Sequence, residues 1–135
     1  MANNFNFRQI AQDTTQLCRL MSGRTKMDTD EVVEAGVLTI TAFDFAPKFD
    51  KEGHPLADPS TGEQDVFGVV TFAEYPDRYY SVGTVFTKVC KAWAEQFGGS
   101  AEAASVELTK SGGVQVRFSE GKTKAGNNLV NVEII

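Results

Sequence analysis

The sequence predicts an α+β domain of mainly β content, and three observations carry that prediction. Five runs follow a period of two, the pattern of partly buried strands. A stretch holding three of the four prolines separates the first two runs and reads as a loop. One strong amphipathic helix stands between the third run and the fourth. At 135 residues the chain has the length of a single domain, 1–135. A hydrophobic share of 41% with 10 Phe is enough to build a core, which excludes disorder as the main state.

Each element has its own justification. Phe7, Ile10, Leu17, Leu20 and Met21 fall at near-helical intervals, so residues 5–22 predict a helical N-terminal segment stopped by Gly23. Thr29-Asp30-Glu31 opens a short helix that ends at Gly36, its early acids suiting the helix dipole. VLTITAFDFA from Val37 sets Leu38, Ile40 and Ala42 against Thr39, Thr41, Phe43 and Phe45. PKFDKEGHPLADPSTGEQ is the loop. DVFGVVTFAEY places Val66, Val70 and Phe72 opposite Phe67, Val69 and Ala73. Pro76-Asp77 predicts a turn, and RYYSVG a short third strand.

TVFTKVCKAWAEQFGG is the clearest helix, with Phe86, Val89, Cys90, Trp93 and Phe97 in one stripe, Thr84 as its cap and Gly98-Gly99 as its stop. Ser100 caps a smaller helix, AEAASVELTK. The chain then closes as a hairpin: Val114, Val116 and Phe118 alternate with Gln115, Arg117 and Ser119, and Val130, Val132 and Ile134 with Asn131 and Glu133. Three strands, a helix and two strands is the order of the OB-fold, a five-stranded antiparallel barrel with its helix between strands 3 and 4. A twisted antiparallel sheet backed by helices is the alternative arrangement.

The net charge of −5 and pI of about 4.8 exclude a polybasic nucleic-acid binder. The charge is unevenly spread, however. Residues 1–26 carry four bases and one acid (+3), residues 27–77 two bases and twelve acids (−10), and residues 78–135 seven bases and five acids (+2). Cys18 and Cys90 have no spacing that suggests a disulfide framework or a zinc site, and both read as buried free thiols. His54 stands in a turn-rich loop with nothing to hold it for catalysis. The neighbouring acids Asp50, Glu52, Asp58, Glu63 and Asp65 do not fit a calcium loop. There is no P-loop and no GxGxxG after a strand. No catalytic residue, metal site or cofactor is expected, and the protein reads as a non-enzyme. The absence of a signal-like or membrane-length apolar run points to a cytoplasmic protein with no membrane partner.

The constellations that remain are aromatic and basic. Single-stranded nucleic acid needs flat side chains for its bases and cations for its phosphates. FAEYPDRYY offers Tyr75, Arg78, Tyr79 and Tyr80, although a regular strand sends Tyr79 and Tyr80 to opposite faces and so puts one of them in the core. Lys88 and Lys91 lie off the apolar stripe of the helix. Arg117 faces away from Val116 and Phe118, and Lys122 and Lys124 follow in the hairpin connection, one of two loops that close over oligonucleotides in OB-folds. The other such loop, 47–64, is acidic, so a DNA path has to avoid it.

The run YYSVGTVFTKVCKAWAEQFGG, the short Ala/Glu helix after it and the hairpin GGVQVRFSEGKTKAGNNLVNVEII resemble small proteins of bacteriophages and prophages of Gram-positive hosts, some of them regarded as single-stranded DNA-binding proteins. The resemblance implies a replication or recombination accessory that coats single-stranded DNA without catalysis in the bacterial cytoplasm, where a host or phage replication protein is the expected protein partner. The small size of the chain makes a homodimer or higher oligomer a reasonable expectation. It implies for Tyr75, Arg78, Tyr79, Tyr80, Lys88, Lys91, Arg117, Lys122 and Lys124 the role of contacting DNA. Unlike the general pattern of bacterial single-strand-binding proteins, the sequence has no Gly/Pro-rich tail ending in acids. A second function class stays open: a protein-interaction module, such as a factor that binds or inhibits a host protein or a virion component, contacting its partner through acidic segment 27–77.

Overall fold

The computed structural model describes residues 18–122, 124–126 and 128–135. In chain order its elements are β1 (Thr25–Lys26), α1 (Thr29–Ala35), β2 (Val37–Pro47), β3 (Val66–Phe72), β4 (Tyr75–Ser81), α2 (Thr84–Glu95), α3 (Ala101–Lys110), β5 (Val114–Lys122) and β6 (Asn128–Ile134). The six strands form one open sheet in the order β1-β4-β3-β2-β5-β6, antiparallel except for the parallel β1·β4 pair. The fold is therefore α+β and dominated by its sheet.

The strands do not form the closed five-stranded barrel that the element order suggests, because β4 and β6 are not paired. The reason lies in residues 25–35. β1 takes the outer edge of β4, the Met27 N–H donates to the Tyr79 carbonyl at 2.7 Å, and α1 follows with Val32 fully buried in the core. The predicted N-terminal helix lies mostly outside the described residues. Its last part, residues 19–23, is a run of turns.

β2 explains how one strand can be apolar on both faces. The register against β3 slips between Ile40 and Ala42, so Thr41 is an extra residue. Leu38 and Ile40 before the slip, and Phe43 and Phe45 after it, all face the main core, while Ala42 and Ala46 turn to the other side. The period-two grouping of Ala42 with Ile40 is thus corrected by the bulge. β5 pairs β2 over Val37–Ile40. Beyond that point α3 serves the same edge: Ser105 Oγ accepts the Phe43 N–H (3.1 Å) and donates to the Phe43 carbonyl (3.0 Å), and Thr109 Oγ1 donates to the Thr41 carbonyl (2.8 Å). An edge that would be left with bare polar groups is closed by two hydroxyls.

Helices α2 and α3 cover one face of the sheet. Trp93 packs between Phe43 and Phe86, with ring centroids 5.5 and 5.7 Å away, and Phe118 meets Tyr80 and Phe72 at 5.2 and 6.0 Å. The packing over β3 is so close that a Cβ on Gly68 would lie 2.8 Å from Cγ2 of Val82, in the link from β4 to α2, and 3.3 Å from Sγ of Cys90 on α2. The opposite face is covered over β2, β3 and β4 by residues 18–21, where Cys18 and Leu20 bury against Ala46 and Val69. The Arg19–Asp44 pair there (3.2 Å) is partly exposed and contributes about 0–1 kcal/mol, whereas burying Leu20 contributes about 2 kcal/mol. Burial anchors this segment.

The β3–β4 connection is a tight turn at Ala73-Glu74, not at Pro76-Asp77. Glu74 reaches back across the turn to β2, accepting the Thr39 N–H (2.7 Å) and hydroxyl (2.8 Å). Pro76 and Asp77 belong to the irregular start of β4 instead. The acidic loop 48–65 is folded on itself through bridges Phe49–Pro55 and Ala57–Gln64. Gln64 Nε2 donates to three carbonyls there, of Lys48, Leu56 and Asp65.

Candidate nucleic-acid interface

The outer edge of the sheet is built by a pairing that the sequence does not advertise. Thr25 and Lys26 lie beside Arg78 and Tyr79 in parallel register. Arg78 fixes this arrangement: its Nε donates to the Thr25 carbonyl (3.1 Å) and its Nη2 to the Lys26 carbonyl (2.9 Å) and to Glu31 Oε1 (3.0 Å). Glu31 also accepts the Asp28 N–H at the start of α1, and that bond first, then the Arg78 bond, hold its carboxyl below the usual range. Arg78 is thereby committed to β1 and α1.

Register partners project to the same face, so Lys26 is exposed next to the half-buried Tyr79. Arg24 joins them by donating from Nε to the Pro76 carbonyl (3.0 Å) and from Nη1 to the Leu20 carbonyl (3.3 Å). Tyr75, 37% exposed, begins the same strand. Tyr75, Arg78 and Tyr79 are therefore gathered with Arg24 and Lys26 along one edge. Sequence reasoning missed Arg24 and Lys26; the one available signal was the +3 charge of residues 1–26. Glu31, bonded to Arg78, is an acid of this same edge.

The other expected residues lie elsewhere. Tyr80 is the core member of the Tyr79-Tyr80 pair, 4% exposed, with its hydroxyl 3.3 Å from Thr29 Oγ1. Lys88 and Lys91 are exposed on α2, and Lys91 lies within electrostatic reach of Asp58 in the acidic loop. The Asp58 carboxyl is held low chiefly by the Ser60 hydroxyl and N–H. Arg117 faces away from the helices, on β5, 3.6 Å from Glu133. Both partners are more than half exposed, so the pair contributes about 0–1 kcal/mol and Arg117 is released at small cost. Lys122 and Lys124 stand at the far end of the β5–β6 hairpin. The nine residues do not form one continuous surface.

A groove of about 640 Å³ runs between the end of β4, the start of α2 and β6, and a smaller one of about 360 Å³, lined in part by Lys122, adjoins it at Thr29, Leu129 and Val130. Its walls are mainly apolar: Val82, Val85, Phe86, Phe118, Val130 and Val132. Among the described residues no three His, Cys, Asp or Glu side chains gather as a metal site requires. Both thiols are buried and free, and burial pushes Cys90 up to about 12, far from a reactive thiolate. His54 lies exposed beside Asp50 and Glu52. No described helix is long and apolar enough to cross a membrane. No family model, curated protein or solved structure matches the chain.

Proposed function

We propose that this chain binds single-stranded DNA without catalysis, as a cytoplasmic replication or recombination accessory of a phage, on an OB-like barrel left open between β4 and β6. One observation carries the reading furthest: the β1·β4 pairing sets Lys26 beside Tyr79, and Arg24 reaches the carbonyl of Pro76, the residue after Tyr75. Stacking platforms next to phosphate-neutralising cations are what a sequence-tolerant single-strand site requires. Arg78 supports the site by holding β1 in place, and Arg117, Lys122 and Lys124 extend the positive surface on the distant hairpin.

The test is titration of the protein with oligo(dT) at two salt concentrations, followed by Tyr and Trp fluorescence. Affinity falls steeply with salt, and Lys26→Glu weakens binding and lowers the salt slope by about 0.7, the value for one phosphate contact on a single strand. Protein at micromolar concentration that leaves oligo(dT) unbound at low salt refutes the reading.

A second reading has its own support. Loop 48–65 is ordered by its own hydrogen bonds and presents Phe49 and Leu56, 42% and 40% exposed, among Asp50, Glu52, Asp58 and Glu63. An ordered acidic arm with two apolar contacts suits a protein partner, such as a host or phage replication protein.

A further inference from the structure

We propose that β6 is a dimerisation edge: two copies of the chain pair β6 antiparallel to β6 about a twofold axis at Val132. Such a pairing joins two six-stranded sheets into one of about twelve. It stands independently of the DNA-binding reading.

The backbone supplies the first reason. β6 is the last strand of the sheet, and among the described residues nothing pairs with its outer side. In its ladder with β5, the Ile135 N–H donates to the Gln115 carbonyl (2.9 Å), and the same phase runs through the Arg117–Glu133 and Ser119–Asn131 pairs. Antiparallel strands alternate the direction of their polar groups. Residues 129, 131, 133 and 135 thus bond inward to β5, and Val130, Val132 and Ile134 point their N–H and C=O groups outward. Seven residues long, without Pro or Lys and with Glu133 as its one charge, this edge has few of the features that keep strand edges solitary.

The side chains select the occupant and the register. A twofold axis at Val132 sets Val130 against Ile134 of the second copy, Leu129 against its Ile135, and Asn131 against its Glu133. Each apolar residue meets an apolar one, and no like charges face each other. Outward backbone groups fall opposite outward groups, as a ladder needs. Moving the axis one residue on would place Glu133 against Glu133, which cross-strand energetics disfavour. Ile134 and Ile135, each 55% exposed, and Val85 at the groove rim, 72% exposed, supply apolar surface beside this seam. A sequence that complements itself about one residue points to a second copy of this chain.

Sedimentation equilibrium of the full chain at 10–100 μM, a range of roughly the order expected for weak dimers, reads the mass directly. A dimer of twice 14.7 kDa is expected. Val132→Pro deletes an outward N–H that β5 does not use, and Ile134→Lys puts a charge on the seam; each shifts the dissociation constant at least tenfold toward monomer while thermal melting still reports a folded chain. Amide exchange of Val130, Val132 and Ile134 slows with rising protein concentration. A wild-type monomer throughout the range overturns the proposal, as does a dimer that keeps its affinity in Ile134→Lys. Concentration-independent protection of those three amides would show that the chain covers its own edge, and overturns it equally.

Discussion

Thr87 sits on the inner side of α2, where its Oγ1 accepts the Gly68 N–H at 2.9 Å and donates to the Gly83 carbonyl at 2.8 Å. The hydroxyl is buried, so it replaces water for a strand amide that α2 has covered. Valine has nearly the same shape and keeps the packing. Thr87→Val leaves the Gly68 N–H unpaired and is expected to cost about 1–3 kcal/mol in urea unfolding, with little change in m-value. Gly68 itself admits α2 because it has no Cβ. Alternation along β4 foretold that Tyr79 and Tyr80 divide between surface and core. Which of them goes inward depends on the partner strands, and a single sequence does not show that.

Strands and turns were legible where the chain speaks locally. Gly36 ends α1, Ser100 Oγ caps α3 by accepting the Ala103 N–H (3.1 Å), and Val116 and Phe118 face the core as their spacing says. What stayed hidden depends on distant partners. Thr41 bulges where β2 changes neighbours from β5 to α3, and the β3–β4 turn sits at Ala73-Glu74 because Glu74 reaches Thr39, thirty-five positions earlier. Burial pushes the Glu74 carboxyl up, but the Thr39 N–H and hydroxyl bond its charged form and hold it below the ordinary value. A depressed carboxyl stabilises the fold above the unfolded value of about 4.3 and loses that contribution as pH falls through the folded one. Glu74→Gln is therefore expected to be about 0.5–1 kcal/mol less stable than wild type at neutral pH, an amount limited by solvent screening. Thermal melting at stepped pH shows the gap closing below about pH 4.

For the whole molecule the division of charge matters more than its sum. The basic edge at β1 and β4 was barely legible, since SGRTK reads as a loop until its two strand residues find β4. The acids, by contrast, were placed correctly in a loop, although its internal bonding was not foreseen. Neutralising Asp50, Glu52 and Asp58 together to Asn, Gln and Asn removes three negative charges from the field that approaching DNA meets. Oligo(dT) is expected to bind this variant a few-fold more tightly at low salt, with the advantage fading once the Debye length shrinks to about 8 Å at physiological salt. If the arm serves a protein partner instead, the same variant loses that partner and gains nothing for DNA.

The sharing of β2 also governs how the chain reaches this structure. β2, β3 and β4 follow one another, and β5 and β6 form a hairpin, so each group assembles from neighbours in sequence. The two groups join as strands only along Val37–Ile40, where Ile40 pairs with Val114 across more than seventy intervening positions. Closing so long a loop costs entropy that four residue pairs and the underlying core must offset. That seam is therefore expected to form late, so substitutions at Ile40 and Val114 should mainly speed unfolding and leave the folding rate little changed in stopped-flow measurements.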